Sequence, residues 1–193
     1  MEGIFTLPYS EYEAMNQMKK KLGAGNSFYI PMSRQQKGID FIIHNDKTNK
    51  ILRIQVKSSR SYQGEIKKLK SGKIKEDKYR YYLWLNNFLR KCEKGLADYY
   101  VIFGIYPIYQ QDKNIKSKKI FWKPIVLCFS EDEMLKFLRQ IRTKRDKKPD
   151  KFFYFGFDGQ DNVFAVRGFE KDMDCSDNLL NNKAEELKDR LEK

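Results

Sequence analysis

Histidine is almost missing from this chain. Its 193 residues include one, His44. A histidine-rich zinc centre therefore has no second imidazole, and nothing beside His44 suggests a Ser-His-Asp arrangement. Cysteine is scarce too. Cys92, Cys128 and Cys175 are odd in number and widely scattered. No CxxC pair supports a zinc knuckle or a disulfide framework, and such usage fits a reduced, intracellular (cytoplasmic) setting. No stretch approaches the roughly 18 consecutive apolar residues of a membrane span. The first residues, MEGIFTLPYSEYE, lack the basic-then-apolar order of a secretory signal. No membrane partner is expected. No internal repeat and no Pro/Gly/Ser linker divides the chain, so one domain over residues 1–193 is expected.

Acids are in deficit. There are 26 Asp and Glu against 39 Lys and Arg, a formal net charge of +13. Such an excess attracts a polyanion through counterion release, and nucleic acid is the commonest one. General lysine enrichment is the plainer alternative. What the chain has in abundance is apolar and aromatic side chains, 40% and 15% of residues, including 14 Phe and 12 Tyr. That composition builds a packed core despite 34% charged residues.

Periodicity gives a mixed α/β order. Tyr12, Met15, Met18 and Leu22 recur at helical spacing in YSEYEAMNQMKKKL, with Ser10 and Glu13 placed for a capping box. GAGN stops that helix. Strands follow at residues 27–31, 39–44 and 51–57, the last two close enough for a hairpin. Residues 60–80 are lysine-rich and read as an exposed excursion or a loose hairpin. YRYYLWLNNFL returns to strand, and ADYYVIFGIYPI is apolar enough for the sheet centre. After the strand IFWKPIVLCF, Ser130 caps an amphipathic helix. FFYFGF and VFAVRGF form a second hairpin, and the tail from Ser176 reads as a polar helix docked at the periphery. The core spans about residues 9–130, with the elements of 130–193 appended.

Strand alternation isolates one group of residues. Ile39, Phe41 and Ile43 share one face, and Leu52, Ile54 and Val56 share another. Asp40 and, after a spacer of fourteen residues, Gln55 and then Lys57 fall on the opposite faces. Polar groups inside strands cost free energy unless compensated. A hairpin can bring the three together as a hard-oxygen cation site beside an ammonium. Asp40 and the Gln55 carbonyl could hold Mg²⁺, and Lys57 could orient a water or offset charge on a phosphorane. One carboxylate is thin for Mg²⁺, so a second acid is expected from the first helix: Glu13 first, Glu11 second. Asp40 as a turn acid, Gln55 and Lys57 as solvent-facing edge residues, and Glu13 as a cap are the plainer alternatives.

A helix with Glu13, a strand with Asp40 and then Gln55-Val56-Lys57 on the next strand resembles the PD-(D/E)xK, or restriction-endonuclease-like, nuclease superfamily. Specifically it resembles the variant with Gln in place of the middle acid. Ile39 stands where the name-giving Pro would be. The likeness covers about residues 9–60, with the aromatic strands to residue 108 continuing the core. It implies an αβββαβ core with a mixed central sheet flanked by helices, and a DNA endonuclease using Mg²⁺ (or Mn²⁺). Asp40, Gln55 and Glu13 would then be metal ligands and Lys57 the catalytic lysine. A catalytically inactive nucleic-acid-binding member of the same fold, or an RNA-directed nuclease, is the alternative.

Ser58, Ser59 and Arg60 directly follow the site and could donate to phosphates. The loop of Arg34, Gln35, Gln36 and Lys37 could lie along a groove, where Gln can pair bidentately with adenine. Tyr79, Tyr81, Tyr82 and Trp84 could stack on bases, though period-two aromatics more often face a core. DNA is the expected partner, at a nucleoid if the source is bacterial. Double-strand cutting would favour a two-fold homodimer.

Overall fold

Helical spacing and strand alternation account for most elements of the computed structural model, which describes residues 9–31, 38–68, 74–111, 118–143, 145–159 and 161–193. Helix α1 (Tyr9–Leu22) buries Ala14, Met18 and Leu22. The inward stripe keeps the expected Met18 and Leu22, with Met15 half-buried against the core, but Ala14 replaces the exposed Tyr12. The helix begins at Tyr9, so Ser10 lies inside it rather than capping it.

Three antiparallel strands follow: β1 (Asn26–Tyr29), β2 (Phe41–Asn45) and β3 (Ile51–Gln63). β3 runs six residues past the expected Lys57. The lysine-rich excursion is a small hairpin of β4 (Ile66–Lys68) and β5 (Ile74–Glu76). Strand β6 (Tyr81–Asn86) and one turn of helix, α2 (Leu89–Cys92), lead to β7 (Tyr99–Gln111). β7 lies parallel to β3, and β8 (Lys118–Ser130) lies antiparallel to β7 along thirteen residue pairs. The result is a mixed five-strand sheet in the order β1-β2-β3-β7-β8, with apolar β7 in its interior as its composition predicts.

β3 belongs to two layers. Its far end, Ser61–Gln63, pairs with β6, which continues through β9 (Phe152–Phe157), β10 (Val163–Arg167) and β11 (Met173–Asp174). This second antiparallel layer curls over the first. Leu83 sits where any Cβ on Gly104 of β7 would be, 2.3 Å from its Cδ2. Tyr81, Leu83 and Leu85 of β6 meet Tyr100, Ile102 and Tyr106 of β7 in an aromatic core shared with Phe153, Phe155 and Phe157.

The sheet's other face carries a second core. Phe41, Ile43, Ile54, Val101 and Phe103 pack there with α1 and with α4 (Leu180–Glu192). The C-terminal helix is therefore not peripheral: Leu180, Lys183, Ala184, Leu187 and Leu191 are all buried. It also has no side-chain cap, following a 3-10 turn at Ser176–Asn178. Helix α3 (Glu131–Gln140) has the full capping box expected at Ser130. The Ser130 side chain accepts from Glu133 N–H, and the Glu133 side chain accepts from Ser130 N–H. No helix among the described residues is long and apolar enough to cross a membrane.

Candidate active site at a strand fork

β2 and β3 separate where the polar residues lie. Gly38 leads into β2 with φ +123°, a conformation that L side chains rarely adopt. A Cβ there would also meet Leu96 at 2.6 Å. Asp40 then closes the ladder. Its N–H donates to Ile54 O at 2.8 Å, and its Oδ2 accepts from Val56 N–H at 2.6 Å. The carboxylate stands where the next strand carbonyl would be, so β2 can end without orphaning a buried donor. Beyond Val56, no strand among the described residues pairs with β3 on that edge until β6 takes it up at Ser61.

Phe41 pairs with Ile54, which sets Asp40 opposite Gln55 and puts Asp40, Gln55 and Lys57 on one face of the fork. That face is the α2 side, since Gln55 and Lys57 are in register with Tyr100 and Ile102 of the aromatic core. Gln55 is only 7% exposed. No hydrogen bond reaches its amide among the described residues, and since no buried side-chain N or O atom there lacks a partner, the amide keeps contact with solvent. Lys57 is half-buried, with Nζ 5.5 Å from the centroid of the Phe88 ring.

Both charged groups are held away from their ordinary titration. Burial pushes the Asp40 carboxyl up, against the opposing pull of the Val56 N–H and the Lys57 charge. Burial pushes the Lys57 amine down. Asp40 opposes that shift, Lys91 of α2 adds to it, and Glu11 opposes it. Neither charge fully compensates the other.

The helix acids divide unequally. Glu13 accepts a hydrogen bond from Gln17 one turn later, at 2.7 Å. Glu11 falls on the inward stripe of Ala14, Met18 and Leu22 and acts on Lys57. Of the two, Glu11 is the acid whose charge is felt at the fork. The spacing 11, 14, 18, 22 is helical and could have revealed this, had the stripe not been set on Tyr12 and Met15.

No family model, curated protein or solved structure matches this chain.

The flanking residues scatter. Ser58 is exposed, and Ser59 Oγ donates to Trp84 O of β6 at 2.6 Å. The Arg60 side chain, and the whole of Arg34, Gln35, Gln36 and Lys37, lie outside the described residues. His44 sits at the far end of β2, with Nδ1 3.3 Å from Asp46. The three cysteines are buried and unbonded to one another. Among the described residues no cluster of three or more His, Cys, Asp or Glu forms. A cation at the fork would have Asp40, the Gln55 amide oxygen and water to draw on among the described residues. Sequence reasoning missed Phe88 and Lys91, which approach the fork only because the β3–β7 crossover folds α2 over it.

Proposed function

We propose that this chain is a Mg²⁺-dependent nuclease acting at the fork, a DNA endonuclease of the restriction-endonuclease-like kind. The observation that carries the proposal is that Asp40, Gln55 and Lys57 share one face at the fork, with the amide of the largely buried Gln55 still open to solvent. Supporting it are the element order α1-β1-β2-β3, then α2, then a β7 parallel to β3. We read these as an αβββαβ core with β4, β5 and β6 inserted and α2 cut to one turn.

The donor set suits a hard cation that keeps several waters and takes one or two carboxylates. Asp40, with Oδ2 committed to Val56 N–H, has Oδ1 to offer, Gln55 has its amide oxygen, and Glu11 adds negative charge. Bound there, Mg²⁺ would polarise a phosphodiester and acidify a water. Lys57, with its pKa lowered, can take the proton from the attacking water as its oxygen bonds to phosphorus and the bond to the leaving sugar oxygen breaks. In its charged form it can instead offset negative charge gathering on the phosphoryl oxygens. The net charge of +13 supports a polyanionic substrate.

Plasmid nicking tests this reaction. Wild type is expected to nick in Mg²⁺ and not in EDTA, with Asp40→Ala and Lys57→Ala reduced about a hundred-fold or more. Equal cutting by all three proteins would place the chemistry elsewhere. A second reading rests on Gln55, whose neutrality weakens cation affinity relative to an acid. In that case the fold binds nucleic acid without cutting it, and all three proteins bind while none nicks.

A further inference from the structure

Resting on a nucleic-acid substrate for the fork, we propose that the outer face of the second layer is a stacking platform for unpaired bases. The substrate is then a strand with exposed bases beside the scissile phosphate, rather than a closed duplex.

Strand alternation in β6 splits the aromatic run. Tyr81 faces the core, and Tyr79 is buried too, its ring stacked on Phe164 at 5.4 Å. Trp84 faces out and is 44% exposed. Its neighbours on that face are also aromatic. Tyr62 of β3, 51% exposed, has its ring centroid 6.2 Å from Trp84. Tyr154 and Phe152 of β9 lie 4.9 and 5.6 Å away. Arg167 of β10 lies over both Tyr154 and Phe152, at 5.1 and 5.6 Å, held by the buried Asp150 at 2.9 Å. A solvated sheet face is normally polar, so a contiguous ring surface of this kind signals a partner.

The chemistry favours bases as that partner. Flat rings and a fixed guanidinium on an antiparallel sheet offer π-faces in any sequence context. β3 connects the platform to the fork over about 17 Å. Because Tyr62 lies an odd five residues beyond Lys57, it faces the opposite side, so a bound strand would pass around the edge of β3 between them. Ser59 also hydrogen-bonds the backbone of Trp84. The segment leaving the platform at Gln63 is basic, with seven Lys and Arg against three acids between residues 65 and 80.

The test is binding of a labelled oligonucleotide to the full chain in EDTA, where no hydrolysis occurs. Its arms are a single strand (as DNA and as RNA), the same strand with abasic central positions, and a blunt duplex. Wild type is expected to bind the base-bearing single strand about ten-fold more tightly than the abasic one. Trp84→Ala and Tyr62→Ala should erase that difference, while Trp84→Phe keeps most of it. Trp122→Ala, which removes the other tryptophan, on β8, should leave it intact. Thermal melts establish that each variant folds, and Tyr62→Ala decides should Trp84→Ala fail to. Equal binding of base-bearing and abasic strands, a preference for duplex, or base dependence that follows Trp122 overturns the proposal. Asp40→Ala and Lys57→Ala should retain base-dependent binding. A protein that stacks bases but never nicks therefore removes the catalytic proposal alone, and one that nicks without base dependence removes this one alone.

Discussion

Asp40 does two jobs that substitution can separate. Its Oδ2 ends the β2–β3 ladder, and in the proposed site its charge serves a cation. Asp40→Ala leaves the Val56 N–H without an acceptor, at a cost of about 1–3 kcal/mol. Asp40→Asn keeps an oxygen acceptor and removes a buried charge, so its metal-free melting temperature at neutral pH should equal or exceed wild type's while nicking is lost. Calorimetry of both variants, with the nicking assay alongside, checks this. The pH dependence follows from the direction of the shift. Because burial raises the folded Asp40 pKa, the folded state holds its proton more tightly than the unfolded chain. The resulting stability is present below the unfolded pKa and lost as pH rises through the folded one. Lys57 runs the other way. Its lowered folded pKa costs stability while the amine is charged, and relief comes as pH rises through that value. Mg²⁺ must displace the Asp40 proton, so the melting-temperature rise it produces should grow as pH climbs through that raised pKa. A Mg²⁺ effect that is flat over that range, or absent, would count against Asp40 as a ligand.

At the scale of elements, α4 and Gly38 make the clearest claims. Leu187 is fully buried between α4 and the sheet, so Leu187→Ala should cost about 2–5 kcal/mol. A helix docked at the periphery would lose far less, and a denaturant titration distinguishes the two. Gly38→Ala forces a side chain into positive φ and against Leu96. A loss of about 1–3 kcal/mol is expected, together with impaired nicking, because Gly38 aims the chain into Asp40. Ser130→Ala should cost about 1 kcal/mol by removing one half of the α3 capping box.

At the scale of the whole molecule, a charge of +13 makes nucleic-acid affinity a salt-dependent quantity. Raising monovalent salt from about 50 to 200 mM should weaken binding by about ten-fold or more. The base-dependent part assigned to Trp84 and Tyr62 should persist, since stacking releases no counterions. A plot of log affinity against log salt separates the two contributions: Trp84→Ala should lower the line without changing its slope. The two-layer curl makes this separation possible, because β3 carries the fork in one sheet and Tyr62 in the other.

Periodicity and alternation are local properties, and wherever they were strong the sequence determined the structure. It determined α1, β2, β3, the apolar interior strand β7, the capped helix α3 and the β9–β10 hairpin. The period of two also put Asp40, Gln55 and Lys57 on one face, since side-chain direction follows from chain parity. Other features depend on what packs against what, which no local period encodes. The inward stripe of α1 was ambiguous between neighbouring positions, and only its seat on the sheet favoured Ala14 over Tyr12, and with it Glu11 over Glu13. The tail's polar composition hid a core helix, because five buried positions in thirteen residues suffice to seat one face. Which aromatics of β6 meet solvent was settled by the curl of β3, which buried Tyr81 and left Trp84 outside. The burial that shifts Asp40 and Lys57 is likewise tertiary, because it depends on Phe88 and α2, brought over the fork by a crossover.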